Sequence, residues 1–139
     1  MLIDFKSLEN TLHINLEGDY IKLLASNRVD EYTEKNVNYI NPLINKNLKT
    51  SISTFFCPTI SNSGGLLLEE DFYAPEELTG NRIIPFGMDA GGYLFCFDYR
   101  KSDIPSIVLW IRDNPEGEDI ADLAINFEEF LKKLESEKG

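Results

Sequence analysis

Few side chains in this 139-residue chain could carry out chemistry. Asp89 and Asp98 lie near the two ends of an apolar run, and paired carboxylates can act as general acid and base. Asp89 belongs to a glycine-rich turn, however, and Asp98 to the end of a predicted strand, where aspartate is typical of turn hydrogen bonding and solvation. His13, the single histidine, has neither a companion histidine nor a nucleophile motif. The sequence therefore predicts structural roles for Asp89 and Asp98, a solvent-facing position for His13, and a protein that is not an enzyme.

Two loops resemble ligand-binding loops in composition only. Residues 61–65, SNSGG, are rich in glycine, but they lack the lysine and the strand-to-helix context of a phosphate-binding P-loop. Residues 113–119, DNPEGED, have the acids of a calcium loop, yet Pro115 occupies the third position, where an EF-hand requires an oxygen ligand. The sequence therefore predicts no metal site and no cofactor.

The formal net charge of −11 is concentrated in two runs. Residues 69–81 contain five acids and no base, and residues 113–122 contain five more acids, again without a base. We take these as candidate partner-binding residues: Glu69, Glu70, Asp71, Glu76 and Glu77 in the first run, and Asp113, Glu116, Glu118, Asp119 and Asp122 in the second. Such charge repels nucleic acids and anionic membranes and attracts basic proteins. The sequence therefore predicts a protein partner, with no nucleic acid and no membrane as ligand.

The elements that must position these residues begin with the most regular apolar pattern in the chain. Residues 93–99 alternate between two faces with the period of a strand, and residues 106–112 do so again after a short polar segment that ends in proline. A third run, near residues 82–87, is joined to the first by a glycine-rich turn. The pattern predicts an antiparallel meander, with Trp110 mostly buried between the sheet and the helices.

Apolar residues recur at helical spacing near residues 3–12, 17–26 and 127–136. Asn126 followed by Glu129 is an Asn-x-x-Glu version of a capping box, so the last helix should begin at Phe127. A short extended segment at residues 120–124 should precede it. The predicted fold class is α+β, a mostly antiparallel twisted sheet with N-terminal helices and one C-terminal helix packed on it.

The remaining segments have weaker patterns. Residues 28–50 are polar and predict at most one short strand that ends near Pro42. Residues 51–60 predict another strand, with Pro58 at its end or at a sheet edge. Residues 66–78 mix leucines with acids and predict a short helix or two turns on the sheet surface.

The length predicts a single domain, residues 1–139, with its own core. Cys57 and Cys96 lie in apolar surroundings without metal-ligand spacing, which indicates buried thiols in a reducing compartment rather than a disulfide. The N-terminal residues do not have the pattern of a signal peptide, and no apolar run approaches the length of a membrane span. These features predict a cytoplasmic protein.

Several short motifs occur in order along the chain: Ile84-Pro85-Phe86-Gly87, Asp89, Gly91-Gly92, Phe95-Cys96-Phe97-Asp98, Val108-x-Trp110 and Asn126-Phe127-Glu128-Glu129-Phe130-Leu131. In order and spacing they resemble the core pattern of the SUKH superfamily over residues 83–134. Two further motifs are similar to the N-terminal helices of that superfamily: Phe5-x-x-Leu8-Glu9 and Leu16-x-x-Asp19-Tyr20-x-x-Leu23-Leu24. The chain departs from the pattern at Asn27-Arg28-Val29, where Asn-Gly-Gly is frequent, and at Tyr93, where a polar residue is frequent.

The superfamily takes its name partly from a fungal regulator of cell-wall synthesis, and its bacterial members are mostly immunity proteins of polymorphic toxin systems. The resemblance implies a non-enzymatic binding module, an immunity protein that neutralises a cognate toxin domain, as a monomer or weak dimer. The acidic charge predicts that this toxin domain is basic, as nuclease-type effectors are. The alternative is an intracellular regulatory scaffold in cell-wall or envelope control. An adjacent upstream gene that encodes a secreted toxin would favour the first.

Overall fold

The structure, a computed structural model, describes residues 5–16, 18–26, 28–62, 65–69 and 72–135. Over these residues the α-helices are α1 (Phe5–Leu12), α2 (Gly18–Ala25), α3 (Glu76–Thr79) and α4 (Phe127–Glu135). The strands are β1 (Asn36–Asn41), β2 (Lys46–Ser51), β3 (Thr54–Phe55), β4 (Thr59–Ile60), β5 (Leu66–Glu69), β6 (Phe72–Tyr73), β7 (Ile83–Met88), β8 (Leu94–Asp98), β9 (Ser106–Trp110) and β10 (Ile120–Ala124). A 3₁₀ turn at Val29–Glu31 follows α2.

The central sheet has five antiparallel strands in the order β10-β9-β8-β7-β3. Phe95 lies opposite Leu109 and Phe97 lies opposite Ile107, so the alternating residues of neighbouring strands share one face. This confirms the predicted meander, with strand ends within about two residues of the predicted ones. The three longer helices also lie where helical spacing predicted them, and the α+β fold class is confirmed.

Aromatic rings join the sheet to the helices. Phe86 on β7 stacks on Phe97 of β8 at 4.5 Å between ring centroids, and it meets Phe127 of α4 edge-on at 5.5 Å. Phe130 of α4 and Tyr20 of α2 lie within 6.0 Å of the same ring, and all five side chains are buried. Such ring pairs contribute about 0.5–1.5 kcal/mol each beyond the area that they bury. The two helices are therefore held on one face of the meander.

The start of α4 agrees with the capping prediction. Asn126 Oδ1 accepts a hydrogen bond from the Glu129 backbone N–H at 2.8 Å, and α4 begins at Phe127 after the strand β10. The Glu129 carboxylate lies 3.5 Å from Lys132 Nζ. Only the Asn126 half of the capping box is formed among the hydrogen bonds of the described residues, and it satisfies one free N–H of the first turn.

The prediction of at most one short strand in residues 28–50 is wrong. β1 and β2 form an antiparallel hairpin with Tyr39 opposite Leu48. The sequence of β2 does not alternate between apolar and polar residues, because all of its side chains are exposed or half-buried. The pattern that identifies a strand is therefore absent. Residues 51–60 form two short strands, β3 and β4, and Pro58 lies between them.

The prediction for residues 66–78 is also largely wrong. β4, β5 and β6 form a separate three-stranded antiparallel sheet, and the single-turn helix α3 follows at Glu76–Thr79. Leu66 and Leu68 are buried on one face of β5. Three consecutive leucines concealed the period of two that this strand obeys.

Trp110 is half-buried rather than mostly buried. Leu109 faces the helices with Phe95, so its neighbour Trp110 lies on the opposite face of the sheet, away from α4.

Cys96 is buried as predicted, whereas Cys57 is exposed, and both are free thiols. Among the helices that the structure describes, none is long and apolar enough to cross a membrane.

Candidate partner-binding surface

The first acidic run lies on β5 and α3. Glu69 is exposed at the end of β5, and Glu76 and Glu77 are exposed in the only turn of α3. The other two predicted residues, Glu70 and Asp71, lie outside the described residues. None of the three described carboxylates forms an ion pair with another described residue. Two of them lie in the first turn of a helix, where backbone N–H groups favour negative charge.

The second acidic run divides into residues with internal partners and residues without them. Asp113 Oδ2 accepts a hydrogen bond from the Tyr93 hydroxyl at 3.0 Å, and this bond raises the pKa of the phenol. Asp119 is half-buried, and its Oδ2 accepts a hydrogen bond from Trp110 Nε1 at 3.0 Å. Asp122 is exposed on β10. Asp113 and Asp119 therefore help to hold the loop in place.

Glu116 and Glu118 are the two acids of the β9–β10 loop, residues 111–119, whose carboxylates have no internal partner among the described residues. Both are exposed, and neither carboxylate forms an ion pair with the described part of the chain. A carboxylate without an internal partner can pair with a cation on another molecule without breaking an existing contact. Of the four acids in this loop, these two are therefore the better placed to meet a basic partner.

One hydrogen-bonded side chain links the β9–β10 loop to the β1–β2 hairpin. Asn114 Nδ2 donates to Asn41 Oδ1 at 2.8 Å and to the Glu118 carbonyl at 2.9 Å. At the same end of the sheet, Thr50 Oγ1 donates to Asp89 Oδ2 at 2.7 Å, which links β2 to the turn after β7. The β9–β10 loop is therefore in contact with Asn41, the residue that precedes the turn of the hairpin.

The turn of this hairpin exposes apolar side chains that the sequence did not single out. Ile40, Leu43 and Ile44 are 59%, 46% and 49% exposed. The available signal was the segment Asn-Pro-Leu-Ile-Asn at residues 41–45, in which two aliphatic residues occupy positions that usually carry polar turn residues. That signal is recognisable only once β2 is known to be a strand.

Asp89 has a structural role. Its Oδ1 accepts hydrogen bonds from the backbone N–H groups of Gly91 and Tyr93 at 3.0 and 2.8 Å, and its Oδ2 accepts the Thr50 hydroxyl. Its side chain is buried and fixes the turn between β7 and β8. This is the turn-bonding role that the sequence predicted.

Asp98 is paired with Arg100. Arg100 Nε and its terminal guanidinium nitrogen donate to the two carboxylate oxygens at 3.0 and 2.8 Å. Burial by itself would raise the pKa of Asp98, but the hydrogen bonds and the charge of Arg100 outweigh burial and hold the pKa below its usual value. Asp98 is therefore a charged partner of arginine, with no proton to give near neutral pH.

Neither His13 nor any metal site adds chemistry to the described structure. His13 is exposed in the turn between α1 and α2, with a left-handed φ of 56°. Over the residues that the structure describes, no three histidine, cysteine or carboxylate side chains are grouped so that they could hold a metal ion. The candidate site is instead a contact surface, formed by the exposed apolar side chains of the β1–β2 turn and the exposed carboxylates of the β9–β10 loop.

Comparison with known families gives one match. The family model described as the SMI1 / KNR4 family (SUKH-1) matches residues 2–133, which include both N-terminal helices, the whole meander and most of α4. No curated protein and no solved structure shows significant similarity to the chain.

Proposed function

The chain belongs to the SMI1 / KNR4 family (SUKH-1), and on this premise we propose that it is an immunity protein that binds and neutralises a cognate polymorphic toxin domain. The family consists of toxin-immunity and regulator-like protein-binding modules rather than enzymes. The observation that carries the proposal is the hydrogen bond from Asn114 to Asn41, which joins the loop that carries Glu116 and Glu118 to the turn that exposes Leu43 and Ile44. Protein interfaces combine such an apolar centre with a polar rim.

The charge of the chain supports a basic toxin domain, of the kind that acts on nucleic acid. Enzymes that bind nucleic acid carry clustered lysine and arginine side chains, because these neutralise phosphates. A protein of net charge −11 is attracted to such a surface. By covering that surface, the inhibitor would exclude the nucleic acid without a catalytic group of its own.

The proposal includes the state in which the protein acts. Residues 1–139 would form one SUKH-like domain that works in the cytoplasm as a monomer or weak dimer. The family match over residues 2–133 supports one unit. Occlusion of a toxin requires only one exposed face of that unit.

The first test is protection of cells. The toxin domain encoded by the adjacent upstream gene is expressed from an inducible promoter, with and without this protein. When the toxin domain is induced, we expect growth only in cells that also express this protein. If the neighbouring gene encodes no toxin, or if growth is not restored, the immunity proposal is overturned and the regulatory-scaffold alternative takes its place.

The second test measures association rates with that toxin domain at low and at high salt. We expect Glu116→Gln/Glu118→Gln to slow association several-fold at low salt and to reduce the salt dependence, because exposed charges act mainly on the encounter. Glu76→Gln/Glu77→Gln on α3 removes the same charge from the first run and serves as the matched variant. If neither variant slows association and salt has no effect, the basic-toxin part of the proposal is wrong, even where protection of cells is observed.

A further inference from the structure

The β1–β2 turn, residues 42–45, exposes a compact group of aliphatic side chains. Leu43 and Ile44 lie in the turn, and Ile40 lies on the outer face of β1 beside it, each 46–59% exposed. Single exposed aliphatic residues are common on protein surfaces, but three within five positions of one turn form a patch that favours contact with another molecule. We name this group the apolar tip.

The turn that carries the apolar tip is held in one conformation. Asn41 Oδ1 accepts the Leu43 backbone N–H at 3.0 Å and the Asn114 side chain at 2.8 Å. The Asn41 carbonyl accepts the Asn45 N–H at 2.7 Å, and Asn45 takes a left-handed φ of 54°, which asparagine tolerates better than most residues. The backbone of the turn therefore needs little further ordering when the two side chains bind, which reduces the entropic cost of association.

The charges around the apolar tip are not symmetric. The β9–β10 loop beside it carries Glu116 and Glu118, with Arg112 as its only base. The hairpin itself has no acid, and Lys46 and Lys49 are exposed on β2. The tip is therefore acidic on the side of the loop and weakly basic on the side of β2. A partner that fits it needs basic groups on one side of an apolar pocket.

We propose that the apolar tip is the anchor through which this protein holds its protein partner. Leu43 and Ile44 enter an apolar pocket of that partner, and basic side chains on the rim of the pocket meet Glu116 and Glu118. The proposal rests on the proposed function and assigns it a contact surface. A few well-packed side chains at the centre of an interface account for most of the binding energy, whereas charges at the rim mainly set the association rate.

The experiment uses the toxin domain encoded by the adjacent upstream gene as the probe. Its Kd and dissociation rate are measured with wild type, with Leu43→Ser/Ile44→Ser, and with the control Ile104→Ser/Ile125→Ser. The control removes two isoleucines that are 72% and 77% exposed, one in the β8–β9 loop and one before α4. We expect the tip variant to bind about 10- to 100-fold more weakly, mainly through faster dissociation, and the control to bind within about twofold of wild type.

Folding of the tip variant is checked by its thermal midpoint, which should lie within a few degrees of wild type because neither side chain belongs to the buried core. Charge reversal in Glu116→Lys/Glu118→Lys leaves the tip itself unchanged and should slow association more than it speeds dissociation.

Equal affinity of the tip variant and wild type would overturn the inference and leave the immunity proposal standing. Failure of wild type to bind the probe would overturn both. Sedimentation of wild type and of the tip variant tests whether a second copy of the chain binds the apolar tip instead. A wild-type dimer that the tip substitutions dissociate would show that it does and would overturn the inference.

Discussion

Removing the Asn126 side chain tests whether α4 is capped as a separate helix. In the structure Asn126 Oδ1 accepts one hydrogen bond, from the Glu129 N–H at 2.8 Å, and the reciprocal bond from Glu129 is not formed among the hydrogen bonds of the described residues. One cap bond is worth about 1 kcal/mol, so Asn126→Ala should lower the free energy of unfolding by that amount. Asn126→Gly should cost only a few tenths of a kcal/mol, because water replaces the lost acceptor more easily at a glycine cap.

Asn126→Asp is the matched variant in this series. It keeps an acceptor of the same length and places a negative charge at the N-terminus of α4, so it should equal wild type or exceed it by about 0.3–1 kcal/mol at low salt. The cap should affect global stability, because α4 carries three fully buried side chains that pack against the sheet: Phe127, Phe130 and Leu134. Loosening of the first turn of α4 would therefore disturb the core and lower the free energy of unfolding.

Urea unfolding at neutral pH measures the series. With a slope of about 2 kcal/mol/M, the loss expected for Asn126→Ala shifts the midpoint by about 0.5 M, which is well resolved. An alanine variant with the wild-type midpoint would refute the reasoning, because it would show that the acceptor at residue 126 contributes nothing. An alanine variant more stable than the glycine variant would also refute it, because glycine is the worse residue only inside a helix.

Three further variants test the core and the charged pair. Phe86→Ala removes the ring at the centre of the aromatic cluster and should cost about 3–5 kcal/mol, and a loss below about 2 kcal/mol in urea would contradict the described packing. Trp110→Ala should cost less, about 2 kcal/mol, because this ring is half-buried and makes one side-chain hydrogen bond, to Asp119, so a loss equal to that of Phe86→Ala would contradict its position. Asp98→Asn should cost about 1–2 kcal/mol at pH 7, because the charged bonds to Arg100 are lost. Folding lowers the pKa of Asp98, so the stability that its charge contributes is present in full above the ordinary pKa of 3.8 and is lost as the pH falls through the lowered pKa. In unfolding curves taken from pH 7 to pH 3, the difference in free energy of unfolding between wild type and Asp98→Asn should therefore narrow only below about pH 4.

The meander and the last helix could be predicted from sequence because their signals are local. Alternation along residues 93–99 assigns a strand and its two faces, and Asn126 with Glu129 marks the start of α4, whatever the rest of the chain does. The family resemblance rests on the same segments, and the match over residues 2–133 confirms it.

Sequence also located the charge, but only the fold determined what each charge does. Asp119 bonds to Trp110 and Asp113 to Tyr93, whereas Glu116 and Glu118 have no internal partner in the described structure. These residues look alike in the sequence, since a run of acids does not record which side chains meet a donor from a neighbouring strand. The burial of Trp110 depended in the same way on which face of the sheet the helices cover.

The β1–β2 hairpin was decided by tertiary structure. The strand β2 has little apolar side-chain burial of its own, and it is held by pairing with β1 and by the bond from Thr50 to Asp89, a residue 39 positions away. Asn41 is likewise bonded to Asn114 from the far part of the chain. Local propensity does not encode such long-range polar contacts, because each partner alone is compatible with a loop. The exposure of Leu43 and Ile44 follows from that hairpin, and so the surface that we propose as the anchor became visible only in the folded chain.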